Sequence, residues 1–192
     1  MLNSSIRPAL VIFGFLTLLT GVAYPLFVTS VAQAGFGDRA EGSLIVRDGK
    51  PIGSSLIGQN FTDPKYFWGR PSATGTMPYN PLATAGSNQG PLNPALVDAV
   101  KTRIEALRAA DPGNTVPVPV DLVTASASGL DPHISVAAAK YQLSRVATVR
   151  KLDVASVQAL VDQHTEGQFL GIFGEPRVNV LELNLALDAK AP

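Results

Sequence analysis

The 192-residue chain contains no cysteine, so disulfides, iron–sulfur clusters and Cys-type zinc sites are excluded together. Histidine is scarce: only His133 and His164 occur, too far apart to form a metal-binding pair in sequence. The formal net charge is zero, and neither a basic face nor a charged tail is present. This argues against a nucleic-acid partner, whose phosphates require neutralisation. No Walker A loop occurs, no G-x-G-x-x-G follows a strand, and there is no H-E-x-x-H or K⁺-filter T-V-G-Y-G sequence. Glycine and proline are plentiful but follow no period, which suits a loop-rich globular domain.

Charge is missing altogether from Pro8 to Gly37. Within that run, Ala9 to Val31 is close to the ~20 residues a helix needs to cross a bilayer core. Thirteen of its residues are Leu, Val, Ile or Phe, favouring insertion by roughly 4–8 kcal/mol. A cleaved signal peptide is the rival reading, because Ala32-Gln33-Ala34 fits a cleavage site. The apolar run exceeds a signal sequence's core, so a retained anchor is expected. Arg7 and the N-terminal amine favour a cytoplasmic N-terminus. Gly14, Thr17 and Gly21 share one helix side, where small residues admit a neighbouring helix. Pro25 cannot donate to the carbonyl of Gly21 and should kink the span locally. The expected division is a cytoplasmic stub and anchor over residues 1–34, then an extracytoplasmic domain over 35–192.

The domain reads as α+β, with about three helices and a small sheet. Leu44-Ile45-Val46 and Ser55-Leu56-Ile57 are candidate hairpin strands around Asp48-Gly49, joined by more than a two-residue turn. Arg70 to Asn93 is a long Pro/Gly/Ser/Asn stretch without hydrophobic periodicity; Phe67, Trp68 and Tyr79 argue that it packs. Asn93-Pro94 opens a helix as N-cap and N1, running to about Ala110. Its stripe is Ala95, Val97, Val100, Ile104 and Leu107. Asp131-Pro132 repeats the signal for a second helix ending near Arg150, with His133 at its second position. Asp153 caps a third, to about Thr165. Arg177 to Asp188 is expected to close the domain as a strand, with a possible bulge at Val180-Leu181.

Ser126, Ser128, Asp121, Asp131 and His133 supply the residue types of a hydrolytic triad. Ala125-Ser126-Ala127-Ser128-Gly129 is not a nucleophile elbow, however. The plainer reading has Asp131 capping a helix and the serines satisfying a turn. No catalytic residue and no metal ligand is therefore nominated. Punctuation without an acid, base or nucleophile suits a protein whose work is interaction.

Ordered blocks along nearly the whole chain carry a family resemblance. They are Arg7-Pro8-Ala9, Tyr24-Pro25-Leu26, Gly53 to Phe61, Tyr66 to Ala73, Met77 to Pro81, Gly86-Ser87-Asn88, Pro119 to Asp131, Arg145-Val146-Ala147 and Val178 to Asp188. In this order they resemble the KdpC family of the bacterial potassium-transporting P-type ATPase, the Kdp system. The resemblance implies an uncleaved single-pass anchor in the inner membrane. It also implies three partners: a potassium-pathway subunit, an ATP-hydrolysing P-type subunit and a small single-span subunit. ATP is then used, and potassium carried, by the complex; no cofactor is assigned to this chain, and its nucleotide-binding residues are unknown. Family members are described as catalytic chaperones that raise the pump subunit's ATP affinity, and direct nucleotide contact has been suggested. An extracytoplasmic domain would instead act through the membrane helices, or cap the external potassium entrance. The expected contacts are Gly14, Thr17, Gly21 and Pro25 in the span. In the loops they are Arg70, Tyr79, Asn80, Ser87, Asn88, Ser126, Ser128, Asp131 and His133. The alternatives are an envelope module binding polysaccharide or peptide, and a periplasmic hydrolase.

Overall fold

The uncharged N-terminal run is helical except at Phe36 in the computed structural model, which describes residues 2–190, with side chains from Ser5. Helix α1 (Leu2–Leu18) passes through a π-helical turn, Leu19–Ala23, into α2 (Tyr24–Ala40). Ser5–Ala40 is long and apolar enough to cross a membrane, and its most apolar stretch buries no residue against the protein. Thr20 and Ser30 return their hydroxyls to the carbonyls of Leu16 and Leu26, at 2.7 and 2.8 Å. The disturbance expected at Pro25 takes the form of the widened turn just before it, closed by Tyr24 N–H to the carbonyl of Leu19. A second break lies at Phe36, with φ −144° and ψ 43°.

The chain separates into two compact units, dividing after Ser54. The first ends in an antiparallel hairpin, β1 (Leu44–Arg47) and β2 (Lys50–Ser54). Asp48 and Gly49 both have positive φ, 51° and 73°, so Arg47 pairs directly with Lys50. The connection is thus a two-residue turn, not a longer one. That turn sets the register and draws the second strand to Lys50–Ser54, ahead of the expected Ser55–Ile57.

Among the described residues, the second unit has four α-helices. Asn93 caps α3 (Pro94–Ala110), accepting from Ala95 N–H at 3.0 Å. Its inner face is Val100, Ile104 and Leu107, whereas Ala95 and Val97 of the expected stripe are exposed. Asp131-Pro132 does not start a helix. The chain instead forms β3 (His133–Ser135), and Ser135 caps α4 (Val136–Arg150) by accepting from Ala138 N–H at 3.0 Å. His133 is therefore a strand residue: Asp131 is drawn to Arg70 and to His133 N–H, leaving capping to Ser135. Asp153 caps α5 (Val154–Gln163) as expected. β4 (Thr165–Glu166) and β5 (Arg177–Asn179) complete an antiparallel sheet in the order β3-β5-β4.

The expected closing strand lasts three residues, then becomes α6 (Val180–Lys190). Asn179 turns the chain, its Oδ1 accepting from Glu182 N–H at 3.2 Å. Val180, Leu183, Asn184 and Leu187 are buried at helical spacing. The break in alternation near Val180 was a change of period, not a bulge.

Between α4 and α6 runs the segment of residues 64–68, a turn closed by Tyr66 N–H to the carbonyl of Asp63 at 3.1 Å and followed by Phe67 and Trp68 without a strand partner. Side-chain amides serve it instead. Asn184 pairs with both backbone groups of Phe67, each bond 2.9 Å. Gln142 does the same for Trp68, at 2.8 and 3.0 Å. Buried Arg145 donates to the carbonyls of Pro64 and Tyr66 and to Gln142, and lies 4.6 Å from the Trp68 ring centroid. Burial pushes this guanidinium down to about 10. Arg150 donates to the carbonyl of Lys65 and pairs with Asp188 at 2.6 Å. Phe67 thus fills the core with Ile134, Val146, Val157, Val161, Leu183 and Leu187. An unsatisfied buried backbone group costs ~1–3 kcal/mol, so these amides determine whether Phe67 can be buried at all.

Candidate partner-contact surface

Two proline- and serine-rich loops, Arg70 to Asn93 and Thr124 to His133, are fastened to each other. Ser72 is the central fastening. Its hydroxyl donates to the carbonyl of Gly129 at 2.7 Å and accepts from Tyr79 N–H at 2.9 Å. Ser126 N–H reaches the carbonyl of Pro71, while Thr84 Oγ1 and Ala85 N–H both reach the carbonyl of Ser128. Asn80 N–H donates to Thr74 Oγ1, and the Asn80 side chain caps the short turn Pro81–Ala83 through Leu82 N–H.

Tyr79 closes this knot. It is buried, has φ 57°, and donates its hydroxyl to the carbonyl of Arg70 at 2.6 Å. Two glycines make room for its ring. A Cβ on Gly58 would lie 2.4 Å from Tyr79 Cε1, and one on Gly69 would lie 2.7 Å from the Tyr79 hydroxyl. Burial, and secondarily the charge of Asp131, raise the phenol to about 12. Gly129, at φ 70°, is confined by Thr74 and the carbonyl of Ala85. Such close approaches leave no space for a side chain.

Beside the knot lies a charged shelf. Arg70 Nη1 is 3.1 Å from Asp131 Oδ2, and Arg70 Nη2 donates to the carbonyl of Ala125. Asp131 Oδ1 accepts His133 N–H at 3.0 Å. The His133 ring lies between two carboxylates, with Nδ1 3.5 Å from Asp131 and Nε2 3.9 Å from Glu166. Glu166 also pairs with Arg177 at 2.8 Å. Burial pushes the Asp131 carboxyl up, but His133 and Arg70 outweigh it and hold the group below its usual value. A depression of about 320 Å³ opens over the shelf, and a larger cleft of about 410 Å³ runs past Phe61, Trp68, Arg70, Tyr79, Arg103 and Leu122.

Arg70, Tyr79, Asn80, Ser126, Ser128, Asp131 and His133 are thus gathered into one region, and Tyr79 and Ser126 are buried within it. Ser87 and Asn88 lie outside the hydrogen-bonded knot, on an exposed stretch where Asn88 has φ 51°. The triad residue types do not assemble as a triad. Ser126 and Ser128 accept from Gly129 N–H and Leu130 N–H, and Asp121 holds Ser135. Ser72, Thr74, Gly58 and Gly69 were missed as members of the region. The signal of Ser72, Gly58 and Gly69 was only small size inside the motif blocks, Thr74 lies between two blocks, and the close approach to Tyr79 appears only in the fold. In the span, a Cβ on Gly14 or Gly21 would meet open space, so that side of the helix is free for a neighbour.

Residues 6–189 match the family model KdpC: K⁺-transporting ATPase, c chain. The chain is 70% identical over 191 residues to the potassium-transporting ATPase KdpC subunit of Polaromonas naphthalenivorans (strain CJ2), covering 100% of this chain and 97% of the relative. It is 67% identical over 188 residues to the subunit of the same name in Dechloromonas aromatica (strain RCB), covering 98% of each. The Variovorax paradoxus (strain S110) subunit is 67% identical over 190 residues, covering 99% of this chain and 98% of the relative.

Proposed function

This chain belongs to the KdpC family, the c chains of K⁺-transporting ATPases, and from that premise we propose that it is an accessory subunit of a high-affinity, ATP-driven potassium uptake complex. Its partners are then a potassium-pathway subunit, an ATP-hydrolysing P-type subunit and a small single-span subunit. The observation that carries this reading is the match across residues 6–189, which includes both the apolar helix and the knotted loops. The helix anchors the chain in the inner membrane, with the N-terminus cytoplasmic and the domain outside.

In this topology the domain and cytoplasmic ATP lie on opposite sides of the bilayer. The chain then acts as a catalytic chaperone indirectly, by binding one pump state better than another and so shifting their populations. The Gly14–Gly21 side of the span and the Arg70–Asp131 shelf are the two surfaces offered to partners. The knot keeps the shelf rigid, so partner binding there costs little loop ordering.

The test is co-purification from solubilised membranes through a C-terminal tag on this chain, followed by potassium-stimulated ATP hydrolysis. A P-type ATPase and a potassium-pathway protein should be recovered together and hydrolyse ATP. Recovery of the chain alone from membranes that express the system would overturn the reading. Replacing the span with an unrelated apolar helix should raise the complex's apparent KM for ATP while the domain remains folded. An unchanged KM would move the coupling to the domain.

A further inference from the structure

Among the described residues of the second unit, four arginines are wholly or partly buried: Arg70, Arg103, Arg145 and Arg150. Three of them are provided for. Arg70 pairs with Asp131 at 3.1 Å and Arg150 with Asp188 at 2.6 Å. Arg145 gives hydrogen bonds to Pro64, Tyr66 and Gln142 and stacks on Trp68. Arg103 is the exception. Its Nη1 donates to the carbonyl of Val123 at 2.7 Å, and among the described residues it makes no other hydrogen bond and no ion pair. Burial holds this guanidinium below its usual value, with no carboxylate to offset the shift. A guanidinium carries five donors in a planar fork. Drawing one out of water without a counter-charge costs stability, and the single bond to Val123 returns little of it.

Arg103 stands on the wall of the 410 Å³ cleft, together with Phe61, Trp68, Pro78, Leu107 and Leu122. Among the described residues, no Asp, Glu, Lys or His lines this cleft. Its other cation, Arg70, is already neutralised by Asp131. The cleft therefore offers apolar walls and one uncompensated positive charge. A polyphosphate, with several charges to meet, is a poor match. A single carboxylate matches the fork, which takes both oxygens in parallel bonds. The apolar walls suit methylene or ring groups beside that carboxylate.

We propose that the cleft beside Arg103 receives an aspartate or glutamate side chain, flanked by an apolar residue, from another subunit of the complex. The inference rests on the subunit reading above and adds a third surface to the two named there. Charge decides the occupant. An apolar or basic segment would leave Arg103 desolvated and unpaired, whereas an acidic one completes it. Arginine is among the residues that most often anchor protein interfaces. A free organic acid carries the same group, but a segment of a complex already held together by its membrane helices meets the cleft at high effective concentration.

The chain has no cysteine, so a single one can be introduced as a reporter. Ala106→Cys lies on α3 one turn after Arg103, exposed and on the cleft wall. Lys101→Cys is exposed on the same helix, outside the cleft. Reaction with methyl methanethiosulfonate is followed on this chain by mass spectrometry, for the full chain alone and for the purified complex. The Ala106→Cys thiol should react about ten-fold more slowly in the complex, and the Lys101→Cys thiol at the same rate in both. Adding Arg103→Gln, which keeps an N–H donor but no charge, should restore fast reaction in the complex. Adding Arg103→Lys, which keeps the charge, should leave most of the protection.

Equal rates at Ala106→Cys with and without partners mean that no subunit fills the cleft, and the proposal falls. It falls also if protection survives Arg103→Gln or is as strong at Lys101→Cys, since the cover then ignores the charge or the cleft. Protection lost equally in both Arg103 variants leaves Arg103 a structural role alone. Slow reaction of the chain by itself, relieved by dialysis, gives the cleft to a free organic acid and overturns the partner. If no other subunit purifies with the chain, the subunit reading fails and takes the cleft with it. If the complex forms and the cleft stays reactive, the cleft alone has been misassigned.

Discussion

Residues 64–68 and residues 168–174 are both short stretches outside the helices, and each must dispose of its backbone polar groups. The first buries Phe67 and borrows donors and acceptors from Gln142, Arg145 and Asn184. The second bonds in part to itself and turns its apolar side chains outward. Where other elements supply polar atoms to a segment, the segment serves the fold. Where a segment borrows nothing and exposes what a core would bury, the fold has little use for those side chains. The loop knot around Tyr79 belongs with the first kind, since Ser72, Thr74 and Ser126 are spent on backbone groups.

Substitutions can break this contrast, and the largest effect is expected at Asn184. Asn184→Leu keeps the volume but strands the N–H and carbonyl of Phe67, at a cost of roughly 3–5 kcal/mol. Denaturant unfolding of the full chain in micelles measures it; a loss below ~1 kcal/mol would mean that the 64–68 segment has another source of partners.

The next effect is alkaline. Tyr79 is raised to about 12 from an ordinary 10.0, so its contribution is complete below pH 10 and disappears as pH rises through 12. The loss is roughly 2–3 kcal/mol. Arg145 runs the other way, because burial lowers it and neutralising it relieves a buried charge. Comparing the wild-type and Tyr79→Phe proteins isolates the tyrosine, and the variant should show a shallower alkaline decline. Identical declines would place Tyr79 outside the linkage.

A smaller effect is expected at the acidic end. Asp131 is held below its usual value, so its contribution is present above pH ~4 and is lost as pH falls through the lowered pKa. The pair with Arg70 is partly exposed, and screening limits Asp131→Asn to about 1 kcal/mol at neutral pH. A variant with the wild-type acid midpoint would remove the Arg70–Asp131 pair from that account. Ile172→Ser should be smallest, within about 0.5 kcal/mol of wild type, because the side chain is already in solvent. A marked destabilisation would place residues 168–174 in the fold and erase the contrast.

Much of the architecture could be read from residue order. The uncharged run announced its helix, and Asn93-Pro94 and Asp153 announced theirs, because caps act locally. The hairpin turn was visible in Asp48-Gly49, while its register was not, since register depends on the turn's geometry. Asp131-Pro132 misled because the cap signal was overridden by a partner 61 residues away, Arg70. The last helix misled because Val178, Val180, Leu183 and Leu187 fit two periods until buried Asn184 is given a role. For the contact region, the motif blocks pointed to the right loops. That these loops fasten to each other through Ser72, with Gly58 and Gly69 yielding space to Tyr79, is a long-range property that no local pattern encodes.

The bonds between Phe67 and Asn184 also set an order in time. Phe67 emerges from the ribosome 117 residues before the side chain that pairs with it. Until α6 follows, the backbone of Phe67 has water for its partner, and the guanidinium of Arg145 has no sealed core to enter. α4 and α5 are neighbours in sequence and can meet early, but the domain closes from its far end. A nascent chain stalled before residue 184 is an open structure, however much of its length has already been made.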